Sequence, residues 1–259
     1  MPLALAHQPR RLYVENPIKL VICQIKFPLL SEFDQPGFLS PIQAALSTRF
    51  PRVSQEQQLG LTFGAQGMAQ IPATAIWRFN ELNGPWSVAL ARDFVTLETQ
   101  SYRRYEDFRS CLEEILDMLS ELDVQVRERI GLRYVNRLSH AETKRVSGWK
   151  RFIRDELLGV VGGEELGDDV VQALEQIRLR EPDGLMVVHH GYLSEEAAGS
   201  VGAHYLIDID CFDERPVKFD RGETLALIDS YHERLKNFFE ISITDDMRDH
   251  LVVEEVLDA

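Results

Sequence analysis

In the segment RERIGLRYVNRL, Arg129, Arg133 and Arg137 share one parity of a predicted strand, while Ile130, Leu132, Tyr134 and Leu138 share the other. A strand in this register aims guanidinium groups in one direction, and each offers paired donors that match a phosphate or a carboxylate. Such a stripe is unusual in a chain of formal net charge -14. It needs either a carboxylate partner inside the protein or an anionic ligand. Arg133 is the best placed for a ligand, because Arg129 and Arg137 sit near the strand ends, where solvent reaches them. Internal pairing or a solvated sheet face is the plainer account of the stripe.

Asp208 and Asp210 alternate with Ile207, Ile209 and Cys211 in YLIDIDCF, so both carboxylates face one side of a second strand. Concentrated oxygen ligands suit a hard divalent cation, and the same groups suit Arg133 or its neighbours across a cleft. The adjacent His189 and His190 point to opposite faces of a strand, which prevents joint ligation. No HExxH arrangement or cysteine companion completes a zinc site. His190 and His204 are acid/base candidates.

His232 lies in SYHERLKNFFE, beside a packing face traced by Ile228, Tyr231, Leu235, Phe238 and Phe239. That position predicts an interhelical hydrogen bond or a cap on a cleft. The aromatic stripe is core unless it is partly exposed, in which case Tyr231, Phe238 and Phe239 form an interface with a partner or a second copy. The chain has no GxxxxGK[ST], GxGxxG or GxSxG motif. Gly60, Gly64 and Gly67 are accounted for by turns.

The residues that would position these groups belong to a globular chain. Hydrophobic residues make up 44% of the 259, which argues against a disordered acidic adaptor. An excess of 42 acidic over 28 basic residues argues against a nonspecific nucleic-acid coat, which works by neutralising phosphates. Cys23, Cys111 and Cys211 are too far apart for a disulfide framework or a metal knuckle, so buried free thiols in a reducing cytosol are expected. With no secretory start and no apolar run near the ~20 residues that cross a bilayer, the expectation is a soluble cytoplasmic protein that engages no membrane.

Residues 18–27 read as a strand stopped by Pro28, followed by a helix from a Ser40 cap, with Pro41 in the first turn and Gln43 completing the cap, to Phe50 before Pro51. A weaker strand covers 59–63, and 73–79 and 86–97 form a hairpin through Asn83-Gly84-Pro85. The long second arm implies a twist or bulge where its apolar phase changes. A helix over 105–122 follows. The order then returns: the arginine strand, a helix over 149–161 broken at Gly162-Gly163, strands over 170–179, 185–192 and 205–212, and a helix over 224–239. This predicts an α+β fold of two packed βαβββα-like halves, with mixed or antiparallel sheets and covering helices. Residues 1–15 form an N-terminal extension, 16–126 the first half, and 127–259 the second half with a short C-terminal tail.

NPIKLVICQIKF, WSVALARDFVTLETQSYRRYEDF, RIGLRYVNRL, YLIDIDCF and YHERLKNFFEISITDDMRDHL span residues 16–251. Together they resemble a sporadically distributed, functionally uncharacterised family of bacterial proteins of about this length, with a central RIGLRYxNR-type strand. The resemblance implies a common architecture along most of the chain. It places Tyr134, Asn136 and Arg137, with Tyr102, Tyr105 and Phe108, in the family-like signature, and it brings no catalytic residues. At these positions Tyr134 is expected to pack its ring while its hydroxyl finds a partner, and Asn136 to satisfy buried backbone groups.

The leading expectation is a cytoplasmic binding or regulatory protein whose two halves enclose a cleft for an anionic small molecule or an acidic protein segment. Arg129, Arg133 and Arg137 would supply the charge, with Tyr134 and Asn136 in support. An enzyme alternative uses Asp208, Asp210 and His204 for metal-assisted phosphoryl transfer or hydrolysis. Only that alternative calls for a divalent metal, and no other cofactor is predicted. A third reading is an interaction module, homodimeric or with a separate partner, built on Tyr231, Phe238 and Phe239.

Overall fold

Strands are the commonest regular element of this chain, and the computed structural model describes residues 7–64, 67–144, 146–163, 169–197 and 200–257. Up to residue 121 the chain runs β1 (Arg10–Tyr13) in the N-terminal segment, then β2 (Ile18–Lys26), α1 (Leu39–Leu46), β3 (Arg52–Gly64), β4 (Gly67–Asn80), β5 (Trp86–Leu90), β6 (Phe94–Thr99) and α2 (Tyr105–Glu121). It continues with β7 (Val126–Arg127), β8 (Arg129–Leu138), short 3-10 turns, β9 (Gln172–Glu181), β10 (Gly184–Ala197), β11 (Ser200–Asp213), β12 (Val217–Lys218), α3 (Arg221–Ser242), α4 (Asp245–Leu251) and β13 (Val253–Leu257).

Nine strands form one sheet in the order β3-β4-β5-β6-β2-β8-β11-β10-β9, while β1 pairs with β13 and β12 with β7. Every pairing is antiparallel. The halves therefore join edge to edge along β2 and β8, where Cys23 faces Leu132 and Ile22 faces Arg133. This is an α+β fold with antiparallel sheets.

Besides the added short elements β1, β7, β12, α4 and β13, the element order departs from a clean repeat in two places. Residues 86–97 are two strands, because the chain reverses between Ala91 and Phe94, whose backbone groups bond at 2.9 Å. The change of apolar phase from Trp86, Val88 and Leu90 to Val95 and Leu97 marks that reversal, where the sequence had suggested a bulge. The helix expected over 149–161 is a series of 3-10 turns, interrupted by Gly159 at φ +50°. Trp149, Phe152, Ile153 and Leu157 are still buried there, whereas Val160 is exposed. α1 begins one residue before Ser40, with Phe38 at its N-cap and no side-chain cap.

One face of the sheet carries the core. Val21, Cys23 and Ile25 of β2, Ile130, Leu132 and Tyr134 of β8, and Ile207 and Ile209 of β11 are buried in one cluster with Phe108, Leu112 and Ile115 of α2 and Ile228 and Leu235 of α3. Each such side chain contributes about 1.5–3 kcal/mol by leaving water. Tyr231, Phe238 and Phe239 close into the same cluster at 1, 6 and 8% exposure, so in the single chain they do not present the partly exposed face that an aromatic interface requires. All three cysteines are buried free thiols. Among the described residues no helix is long and apolar enough to cross a membrane.

Candidate functional site

The strand register brings most of the charged candidates together on the sheet face opposite the core. Asp208 and Asp210 of β11 lie beside Val135 and Arg133 of β8. Arg133 donates to both Asp208 oxygens, at 2.7 and 2.5 Å. Arg129 stands 3.6 Å from Asp210 and 3.7 Å from Glu214, and lies over the Phe212 ring. Arg137 is 3.1 Å from His204 Nδ1. Burial raises the Asp210 pKa, and Arg129 and Arg133 partly offset that rise. These groups meet as matched partners, so Asp208 is already occupied by a guanidinium. Among the described residues no cluster of three or more His, Cys, Asp or Glu side chains is arranged to hold a metal ion. His190 points to the core face, with Nδ1 3.2 Å from the Tyr205 hydroxyl.

The other parity of β8 builds a different site. Tyr134 is buried, and its hydroxyl lies 2.9 Å from His232 Nδ1 and 3.1 Å from the Tyr102 hydroxyl. Asn136, two residues on, donates to the Ile207 carbonyl at 2.9 Å. The imidazole of His232 stacks on Tyr105 with centroids 3.8 Å apart and planes 7° from parallel. Tyr105 is fixed in turn by donating to Asp229 at 2.7 Å, a carboxylate of α3 that also accepts from Arg109. Helical spacing sets Leu235 and Phe239 on the same side of α3 as His232, and all three line one cavity of about 70 Å³.

The remaining wall comes from the N-terminal strand. Tyr13 donates to Glu240 at 2.7 Å, and Arg11 and Arg248 reach the same carboxylate at 2.9 and 3.0 Å. Arg10 pairs with Glu106 at the start of α2. β1 is thereby tied to both long helices and closes over the seam between β2, β8 and α3. Arg10, Arg11, Arg103 and Lys236 line the cavity against a single carboxylate, Glu240.

His232 is 6% exposed, and its Nε2 has no hydrogen-bond partner among the described residues. The Glu233 carboxylate stands 4.0 Å away, beyond hydrogen-bonding reach. Burial, with Arg10 and Lys236 nearby, pushes the His232 pKa down to about 3. The ring is neutral at pH 7, and in either tautomer Nε2 is left unsatisfied. So weak a base is poorly matched to general-base catalysis at neutral pH.

The resemblance grouped Tyr102, Tyr105 and Tyr134 in one signature, and the interhelical hydrogen bond expected of His232 instead runs from α3 to Tyr134 on strand β8. Sequence reasoning missed Arg10, Arg11 and Tyr13, because RRLY is short and pairs only with a strand at the far end of the chain, Val253–Leu257. No protein-family model matches the chain, and no curated protein is significantly similar to it.

Proposed function

We propose that this is a cytoplasmic binding or regulatory protein that holds a small anionic molecule in the cavity at the seam of its two halves. The observation that carries this reading is the cavity lining, where Arg10, Arg11, Arg103 and Lys236 stand against the single carboxylate of Glu240. An anion is the complementary ligand.

On this reading the arginine stripe organises the sheet and is not the binding surface. Arg133 would have to release Asp208 before it could take a ligand. A cavity of about 70 Å³ takes a small molecule but no acidic protein segment. The two halves are further proposed to be divergent copies of one unit. In support, β2 and β8 occupy equivalent places, each beside the last long strand of its own half, and each half ends in a long helix.

A thermal-shift panel of small organic anions tests the proposal. At one hundred times its dissociation constant a ligand adds about 2.7 kcal/mol, which for a chain of this size raises Tm by roughly 5–10 °C. Wild type should respond in this way and Tyr134→Phe should not. Equal responses in both, or none in wild type, would sink the proposal.

A further inference from the structure

The nine-strand sheet ends on β9, and this edge is built differently from the opposite one. β9 is ten residues long and pairs with β10 without a break in register from Gln172 to Glu181. β3, at the far edge, carries a register shift between Gln58 and Gly60. Beyond the ladder with β10, no backbone group of β9 is hydrogen-bonded among the described residues. A continuous edge leaves alternate N–H and C=O groups facing outward, as a template for one more strand. We infer that β9 docks an extended segment of a partner protein, of alternating apolar and acidic residues, which adds to the sheet as a further strand.

The two sides of β9 specify that alternation. Ile177 and Leu179 pack toward the core, where a cavity of about 510 Å³ lies between them and Leu157, Phe238 and Ile241. Gln176, Arg178 and Arg180 have the other parity and are exposed on the open face of the sheet. Successive side chains of an added strand point to opposite faces. Every second one therefore meets the apolar cavity, and the others meet the arginines. In strand addition of this kind the main-chain bonds give affinity, and the pockets for alternate side chains give specificity.

Charge selects an acidic segment. Arg178 and Arg180 have no hydrogen-bond or ion-pair partner among the described residues, although the chain as a whole is acidic. Glu175 and Glu181 belong to the other parity of β9. Asp210, two strands further in, stands 3.6 Å from Arg129. A second copy of this chain pairing along the same edge would bring its own arginines up to these, and like charges across a ladder destabilise it. A separate acidic segment meets no such repulsion.

The test is fluorescence anisotropy of the 259-residue chain with a labelled peptide of alternating glutamate and leucine. Saturable binding with a Kd below about 1 mM is expected. The double variant Arg178→Glu, Arg180→Glu alters two exposed side chains and no core residue. It should melt as wild type does and bind about tenfold more weakly. A peptide with lysine in place of glutamate should also bind more weakly. Of two peptides N-methylated on all leucines or on all glutamates, the one whose methyl groups face β9 should lose binding. No saturable binding, equal binding of the lysine peptide, unchanged affinity in the double variant, or indifference to both methylations overturns the inference. A dimer in light scattering that the same two substitutions abolish would assign the edge to a second copy and overturn it as well. None of these outcomes bears on the seam cavity, which β9 does not line.

Discussion

Tyr134 is the residue on which the site turns, because its hydroxyl joins a ring on α3 to one just before α2. Tyr134→Phe keeps the packing and strands two buried polar groups, which should cost about 1–3 kcal/mol. Urea unfolding should show the loss as a lower midpoint at unchanged slope. On the other sheet face, Asp208 is buried while the Arg133 side chain is 44% exposed. Arg133→Ala therefore leaves an unpaired buried carboxylate, whereas Asp208→Ala releases a guanidinium that water can solvate. The first substitution should be the more destabilising, by on the order of 1–3 kcal/mol; the opposite ranking in chemical denaturation would show that the pair matters to Arg133 more than to Asp208. Glu240 is 2% exposed and accepts from Tyr13, Arg11 and Arg248. Its removal would leave two cations partly unpaired.

Among the strands, β1 supplies a whole wall of the cavity and takes no part in the main sheet. Deleting residues 1–15 removes a cavity wall and the β13 partner while leaving the nine-strand order intact. Hydrogen exchange should then quicken over residues 231–240 and stay unchanged in β8 and β11. Loss of protection throughout would mean that the clasp holds up the whole fold. The β9–β10 pair depends on Gly191, at φ +144°, where a Cβ would stand 1.9 Å from the Ala173 carbonyl oxygen. Gly191→Ala forces that strand apart and should cost at least about 1–3 kcal/mol. The long elements were legible in the sequence because period and chemistry agreed: the parity of β8 separated Arg129, Arg133 and Arg137 from Ile130, Leu132 and Tyr134, as the burial shows. The 3-10 turns after β8 were not, because Trp149, Phe152, Ile153 and Leu157 mimic a helical stripe while glycines on either side break the helix. Which face of β8 held the candidate site was also hidden. Alternation orders side chains along a strand, but the partners that neutralise the arginines come from β11, seventy or more residues later.

For the molecule as a whole, the buried neutral histidine makes stability depend on pH. In the unfolded chain His232 titrates near 6.5, and in the folded protein near 3. Its contribution is fully present above about pH 6.5 and declines as pH falls toward 3, because the unfolded state binds the proton first. Burial lowers the pKa of His190 too, which adds loss of the same sign. Stability should therefore fall by on the order of a few kcal/mol across that window, and His232→Gln should flatten part of the slope; an unaltered slope in that variant would assign the acid sensitivity elsewhere. The central claim, that the seam cavity and not the arginine stripe recognises the ligand, is tested most directly by mapping backbone and imidazole NMR shifts during a titration with the small organic anion that gives the largest thermal shift. Saturable changes confined to Tyr102, Tyr134, His232 and the N-terminal strand are predicted, and changes centred on Arg133, Asp208 and Asp210 would contradict it.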